Sequence, residues 1–321
     1  MTASTLIAPP ADRVRTYASF VRFEHTLFSL PLVLAGIFSV PGQTMPIVRW
    51  LLVAIAAVGA RTAAMALNRL IDRRLDALNP RTQARELPAG AMTLPEALLM
   101  LFVSVALYAL ACAALGRWFL RVAPIPILVF TIYPYLKRVT PLCHLGVGLA
   151  LALAPLAGYA AAHPDLMHVV PALWLAAFAF LWVSGFDVIY ATLDEAFDRA
   201  HGVHSLVAWL GRERALRVSA LLHLLAFVCL VGVAITVMDA SALGPHAVTV
   251  AFDIASSPHP TVTRALMLAA PAGLLVLAAA LLFLEQRWAE DVDLAFFKVN
   301  VWVGAVVLAL VVAIRLGFGG L

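Results

Sequence analysis

Leu266-Met-Leu-Ala-Ala-Pro-Ala-Gly-Leu-Leu-Val-Leu-Ala-Ala-Ala-Leu-Leu-Phe-Leu284 is an apolar run with no charge in it. About 20 mainly apolar residues in a helix cross the hydrocarbon core of a bilayer. A transmembrane β-strand would instead read as an alternating segment of roughly 10 residues. In lipid every backbone N–H and C=O must be paired within the protein, which leaves helices or closed barrels. A run this long and continuous selects the helix.

Similar runs occupy 23–40, 48–69, 94–115, 119–136, 144–162, 170–191, 215–238, 265–285 and 298–317. They predict an all-α integral membrane protein of about nine transmembrane helices. Pro41-Gly42, Gly116 and Pro141 punctuate the gaps, as helix breakers do. Pro124, Pro126 and Pro134 predict kinks in the fourth span. Of the 321 residues, 63% are hydrophobic and 12% charged, and the mean hydropathy is +0.96. A soluble fold of this size has no core large enough for so much apolar surface. The net charge of +4 is spread between apolar runs and not gathered in a stripe, so no nucleic-acid partner is implied. No protein partner is evident, and no cleavable signal peptide is expected at the front. Cys112, Cys143 and Cys229 are far apart and read as small buried hydrophobes.

Basic residues set the orientation. With the N-terminus cytoplasmic, the inside holds Arg13, Arg15, Arg22, Arg69, Arg73, Arg74, Arg81, Arg85, Lys137, Arg138, Arg199, Arg212, Arg214 and Arg217. Outside loops hold Arg49, Arg117, Arg121 and Arg264, with Arg315 near the C-terminus. Two inside loops, 70–93 and 192–214, are long and acidic, and each follows the second span of a four-span block. One domain, 1–321, is expected, built from two pseudo-repeated four-helix halves, about 20–140 and 144–285, and a final helix 298–317.

The two loops carry the chemistry. The first begins Asn68-Arg-Leu-Ile-Asp72-Arg-Arg-Leu-Asp76 and the second Tyr190-Ala-Thr-Leu-Asp194-Glu-Ala-Phe-Asp198. Residues i and i+4 share a helix face. Asp72 thus points with Asp76, with Asn68 a turn below, and Asp194 points with Asp198, with Asp187 two turns below. Neighbouring like charges repel, and a divalent cation is the usual reason to keep them together. Mg²⁺ takes oxygen ligands and is often held by one or two carboxylates plus substrate phosphate. Lys137, Arg138, Arg73 and Arg74 would offset further anionic charge. Solvated loop acids are the plainer alternative for either motif alone; two copies at equivalent places argue for a site. Arg61 and Asp187 lie inside apolar spans, where ionisable groups default to function. His201 and His204 read as loop residues, since no third ligand joins them, and Trp174, Trp182 and Trp302 as packing or interface residues.

With these motifs the chain resembles the UbiA superfamily of membrane aromatic prenyltransferases, closest to the 4-hydroxybenzoate polyprenyltransferase-like branch. Val21-Arg-Phe-Glu-His-Thr-Leu-Phe-Ser-Leu-Pro31 is similar to the family's first helix, and Asn79-Pro-Arg-Thr82 and Arg85-Glu-Leu-Pro-Ala-Gly90 to the segment after its first acidic motif. Tyr133-Pro-Tyr-Leu-Lys-Arg-Val-Thr140 is similar to its basic segment, while Phe186-Asp-Val-Ile-Tyr190 and His204-Ser205 frame its second motif. The resemblance covers residues 15–317 and implies transfer of a polyprenyl group from its diphosphate to an aromatic acid, 4-hydroxybenzoate first, in ubiquinone biosynthesis. It implies Mg²⁺ and diphosphate at Asn68, Asp72, Asp76, Asp194 and Asp198. Lys137 and Arg138 would meet diphosphate or the acceptor carboxylate, Asp187 the phenol, and Arg22, Arg61, Arg73 and Tyr190 the substrates. The multi-pass protein would sit in the plasma (inner) membrane with its site facing the cytoplasm. A dihydroxynaphthoate acceptor, as in menaquinone biosynthesis, would use the same motifs. A transporter is the alternative of another class, supported by the repeat and the ionisable residues in spans.

Overall fold

The computed structural model of the chain describes residues 10–22, 26–41, 45–242, 256, 260–288 and 299–318. Among these there are helices and no strands. In chain order the helices are α1 (Pro10–Phe20), α2 (Thr26–Phe38), α3 (Ile47–Leu78), α4 (Leu94–Leu115), α5 (Arg117–Val122), α6 (Pro124–Leu136), α7 (Cys143–Ala162), α8 (Val170–Ala191), α9 (Glu195–His201), α10 (Leu206–Leu210), α11 (Arg212–Ala242), α12 (Pro260–Arg287) and α13 (Asn300–Phe318). A 3₁₀ turn, Thr192–Asp194, joins α8 to α9.

Among the described residues eight helical segments are long and apolar enough to cross a membrane: α3, α4, α5 with α6, α7, α8 continued to His201, α11, Leu268–Arg287 of α12, and α13. The first expected span, 23–40, is a shorter apolar helix, α2, and residues 23–25 lie outside the description. The helices of the expected spans 215–238 and 265–285 are longer than the apolar runs: α11 continues to Ala242, and α12 already begins at Pro260. Between them only Ser256 is described. Large apolar side chains left exposed, such as Phe102, Leu110, Leu224 and Val276, mark faces that lipid would cover.

Local chemistry sets the breaks. Gly116 ends α4 at φ 141°, a region open to glycine, and α5 starts at once. The fourth span breaks at Ala123, just before Pro124, whose missing N–H suits the first position of α6. Thr93 and Glu96 form a reciprocal capping box at the start of α4. The acidic segment 70–78 is helix and not loop: α3 simply projects beyond the apolar part of its span. It stops at Leu78 because Asn79 precedes Pro80 and is therefore pushed to an extended conformation, φ −86° and ψ 120°.

The helices close into a bundle. α3 packs on α4 and α6, α7 on α6 and α8, α8 on α11, α13 on α11 and α12, and α2 on α7 and α13. The α2–α7 contact is reciprocal. A Cβ on Gly36 would strike the carbonyl of Pro155, and one on Gly158 would strike that of Val33. Each glycine thus meets the residue three before the other. The main core joins α2, α8, α11, α12 and α13, with Trp182 fully buried and stacked on Phe178. Trp174 packs against Gly232, and Trp302 is exposed at the bundle surface.

Candidate active site

The ends of α3, α6 and α8 meet at one end of the bundle. The acid of the first motif nearest the span, Asp72, is 1% exposed. Its Oδ2 accepts from Lys137 Nζ at 2.6 Å and from Asn68 Nδ2 at 3.4 Å, and Arg138 lies 3.6 Å from Oδ1. Asp76, also buried, accepts from Arg85 at 2.8 Å. In the second motif Asp194 accepts from Arg81 Nε at 2.9 Å and from Arg81 Nη2, and from Asn79 Nδ2 at 2.7 Å. Arg81 also donates to the Tyr190 hydroxyl at 2.6 Å. Burial alone pulls the Arg81 guanidinium down, but its bonds to Asp194 and Tyr190 outweigh that and hold it above its ordinary range. Each motif is therefore cross-braced by cations from the other parts of the sequence.

All of these groups but Arg138 line a polar chamber of about 230 Å³, together with Asp187, Asp198, Tyr133 and His144. Asn68, Arg81, Arg85, Tyr133, Asp187 and Tyr190 are also walls of a second, mainly apolar chamber of about 1030 Å³ that runs between α3, α4, α6, α7 and α8. Arg22, Arg61 and Arg69 face that larger space. Two of the candidate residues stand apart: Arg73 is exposed, donates to the Leu70 carbonyl at 3.0 Å and lines neither chamber, and Arg138 donates to the Ile71 carbonyl at 2.8 Å at the rim. Asp194 and Asp198 do not share one continuous helix, since Asp194 ends the 3₁₀ turn and Asp198 is in α9, yet both reach the polar chamber.

The donor set suits a hard cation. Asp72 Oδ1 and Asp76 Oδ2 are buried and accept no hydrogen bond, an arrangement that costs free energy unless a cation or water completes it. Among the described residues no three His, Cys, Asp or Glu side chains converge closely enough to hold a metal alone. A metal here would need water and substrate oxygens as well, the habit of Mg²⁺ beside phosphate. His201 bonds the Phe197 carbonyl and belongs to no such cluster.

Residues 29–257 match the model of the UbiA prenyltransferase family. The chain belongs to that family. It is 31% identical over 235 residues to a 4-hydroxybenzoate octaprenyltransferase of Shewanella denitrificans, covering 71% of this chain and 78% of the relative. The apo structure of a UbiA homologue from Aeropyrum pernix K1 superposes with a TM-score of 0.71 at 31% identity, over 88% of this chain and 95% of that one. A UbiA homologue from Archaeoglobus fulgidus bound to DMAPP and Mg²⁺ has the same fold, with a TM-score of 0.65 at 18% identity, over 94% and 99%. This multi-pass membrane protein is a polyprenyltransferase, and the transporter reading falls with that.

Sequence reasoning passed over several members of the polar chamber. Asn79, Arg81 and Arg85 were visible as motif segments without roles, because their partners are 115, 113 and 9 residues away. His144 was overlooked altogether. Its Nδ1 lies 2.7 Å from Asp187 Oδ2, and its Nε2 accepts from Leu206 N at 3.2 Å. An ionisable residue one position inside an apolar span was the available signal.

Proposed function

We propose that this prenyltransferase moves a polyprenyl chain from its diphosphate to 4-hydroxybenzoate, in ubiquinone biosynthesis, at the cytoplasmic mouth of a plasma (inner) membrane bundle. The observation that carries this reading is the shared wall at Asp187 and Tyr190, which line both the braced acidic chamber and the large apolar one. The first is built for a metal-bound diphosphate and the second for a long hydrocarbon tail beside an aromatic ring. Its volume is at the top of the range of roughly 300–1,000 Å³ usual for small-molecule pockets. The name of the Shewanella relative supports the acceptor.

Asp72, Asp76, Asp194 and Asp198, with Asn68, would hold Mg²⁺, which would supply charge for the departing diphosphate. Lys137, Arg81 and Arg85 pair with the same carboxylates and would share that charge. The apolar walls, among them Phe130, Val147 and Phe186, keep water from the allylic carbon as it loses its leaving group. Tyr133 and Tyr190, on the shared wall, are the aromatic residues that would stabilise that developing positive charge. Arg61 is our choice for the acceptor carboxylate, because it sits two turns before Asn68 on the wall of the apolar chamber. Lys137 is engaged by Asp72 and Arg138 is at the rim, which leaves them to the diphosphate side. Asp187 would accept the hydrogen bond of the acceptor hydroxyl, raising electron density at the ring carbon beside it.

The test is competition between 4-hydroxybenzoate and 1,4-dihydroxy-2-naphthoate at equal concentration with one polyprenyl diphosphate and Mg²⁺. Prenylation of the benzoate is expected. Exclusive prenylation of the naphthoate would move the enzyme to menaquinone chemistry, with the chambers and their motifs unchanged.

A further inference from the structure

We propose that His144 is the positioning residue for Asp187, fixing which carboxylate oxygen faces the acceptor; this rests on the reading of Asp187 as the partner of the acceptor hydroxyl. His144 is 4% exposed in the first turn of α7. Its ring touches two partners of different kind. Leu206 N, a backbone donor at the start of α10, lies 3.2 Å from Nε2. A backbone N–H only donates, so Nε2 is the bare nitrogen of the ring and the proton of the neutral imidazole sits on Nδ1. Nδ1–H then donates to Asp187 Oδ2 at 2.7 Å. The tautomer follows from the fixed donor and not from a choice between two ambiguous partners.

A carboxylate turns easily about its last torsion. The bond to Nδ1–H ties Oδ2 down, which leaves Oδ1 for the acceptor hydroxyl at the wall shared by the two chambers. The other end of the tether is equally anchored. His204 N donates to the Lys137 carbonyl at 2.7 Å, and Cys143 Sγ donates to the His204 carbonyl at 3.4 Å. Ser205 caps α10 by accepting from Ala208 N at 3.1 Å. The strap 203–206 follows directly on the second acidic motif, so His144 links the diphosphate end of the site to the carboxylate that meets the acceptor. The orientation of Asp187 is thereby set from outside its own helix.

Two substitutions divide the ring's contacts. His144→Asn keeps a donor near the Nδ1 position and loses the acceptor for Leu206. His144→Gln keeps an acceptor near the Nε2 position and loses the donor to Asp187. With Mg²⁺ saturating, His144→Gln is expected to lower kcat about tenfold to a hundredfold, the usual cost of removing an orienting partner. Its KM for the polyprenyl diphosphate should stay within about twofold, because that substrate is held elsewhere. His144→Asn should recover most of the lost kcat. In an Asp187→Asn background, His144→Gln should add no further loss. If His144→Gln keeps wild-type kcat while Asp187→Asn is inactive, the positioning role is overturned and the reading of Asp187 stands. If Asp187→Asn is itself fully active, that reading falls and takes this inference with it. If Asn is the slower variant and weakens the diphosphate KM, His144 is an anchor for the strap and not the orienter of Asp187.

Discussion

Lys137→Met separates the electrostatic role of the acidic site from its catalytic role. Lys137 Nζ lies 2.6 Å from Asp72 Oδ2, and the Asp72 side chain is 1% exposed against 29% for Lys137. Removing one partner of a buried pair typically costs about 3–5 kcal/mol, because the other charge stays buried and unpaired. Two features reduce that here: Lys137 is partly solvated, and Arg138 remains 3.6 Å from Asp72 Oδ1. A loss of about 2 kcal/mol is expected, which at about 2 °C per kcal/mol for a chain of this size is a fall of about 4 °C in Tm. That loss belongs to the metal-free protein. A divalent cation on the freed carboxylate replaces the missing ammonium, so Mg²⁺ should recover most of it. The assay is thermal unfolding of detergent-solubilised wild type and Lys137→Met at one scan rate, in EDTA and in Mg²⁺ at matched ionic strength. An equal fall in both media would refute the idea that Lys137 and a divalent cation compete for Asp72. No fall in EDTA would refute the estimate of the pair itself.

Chelation should abolish prenyl transfer and Mg²⁺ restore it, while Asp72→Ala and Asp194→Ala each lower turnover by orders of magnitude with the helix content by circular dichroism unchanged; full turnover in either removes that aspartate from the site. Gly158→Val would drive a side chain into the Val33 carbonyl, and overpacking of this kind costs about 1–3 kcal/mol, so Tm should drop by several degrees; wild-type melting would show that α2 and α7 are not held at this distance. Single cysteines at Arg74, Val139 and Glu213, all exposed, should be labelled from the cytoplasmic side, and one at Met167, in the turn between α7 and α8, from the other. The native cysteines are buried. Labelling of Arg74 and Glu213 positions from opposite sides would break the paired-motif mechanism.

The span pattern, the basic bias and the two acidic motifs were legible because each is local. Apolar length is read directly against bilayer thickness, and a four-residue spacing is a helical turn wherever one helix runs through it. Asn68, Asp72 and Asp76 could therefore be read as one face of α3, whereas the spacing of Asp194 and Asp198 gave no sign that Asp194 ends a 3₁₀ turn while Asp198 lies in α9. Partners brought together by folding had no such signature. Nothing in the chain says that Arg81 braces Asp194, that Lys137 and not Arg73 reaches Asp72, or that His144 lies between Asp187 and Leu206. Those contacts depend on how α3, α6, α7 and α8 are rotated and how closely they approach, and that is decided by packing, for instance by Gly148 letting α7 against the Phe180 carbonyl of α8. The limit of the apolar spans also hid the reach of α3, since hydropathy ends where lipid does while helical hydrogen bonding continues to Asn79-Pro80. Sequence thus determined the solvent each segment meets and the chemistry it carries; the tertiary structure decided which charges share a chamber, because distance between helices is a property of side-chain volumes on both of them.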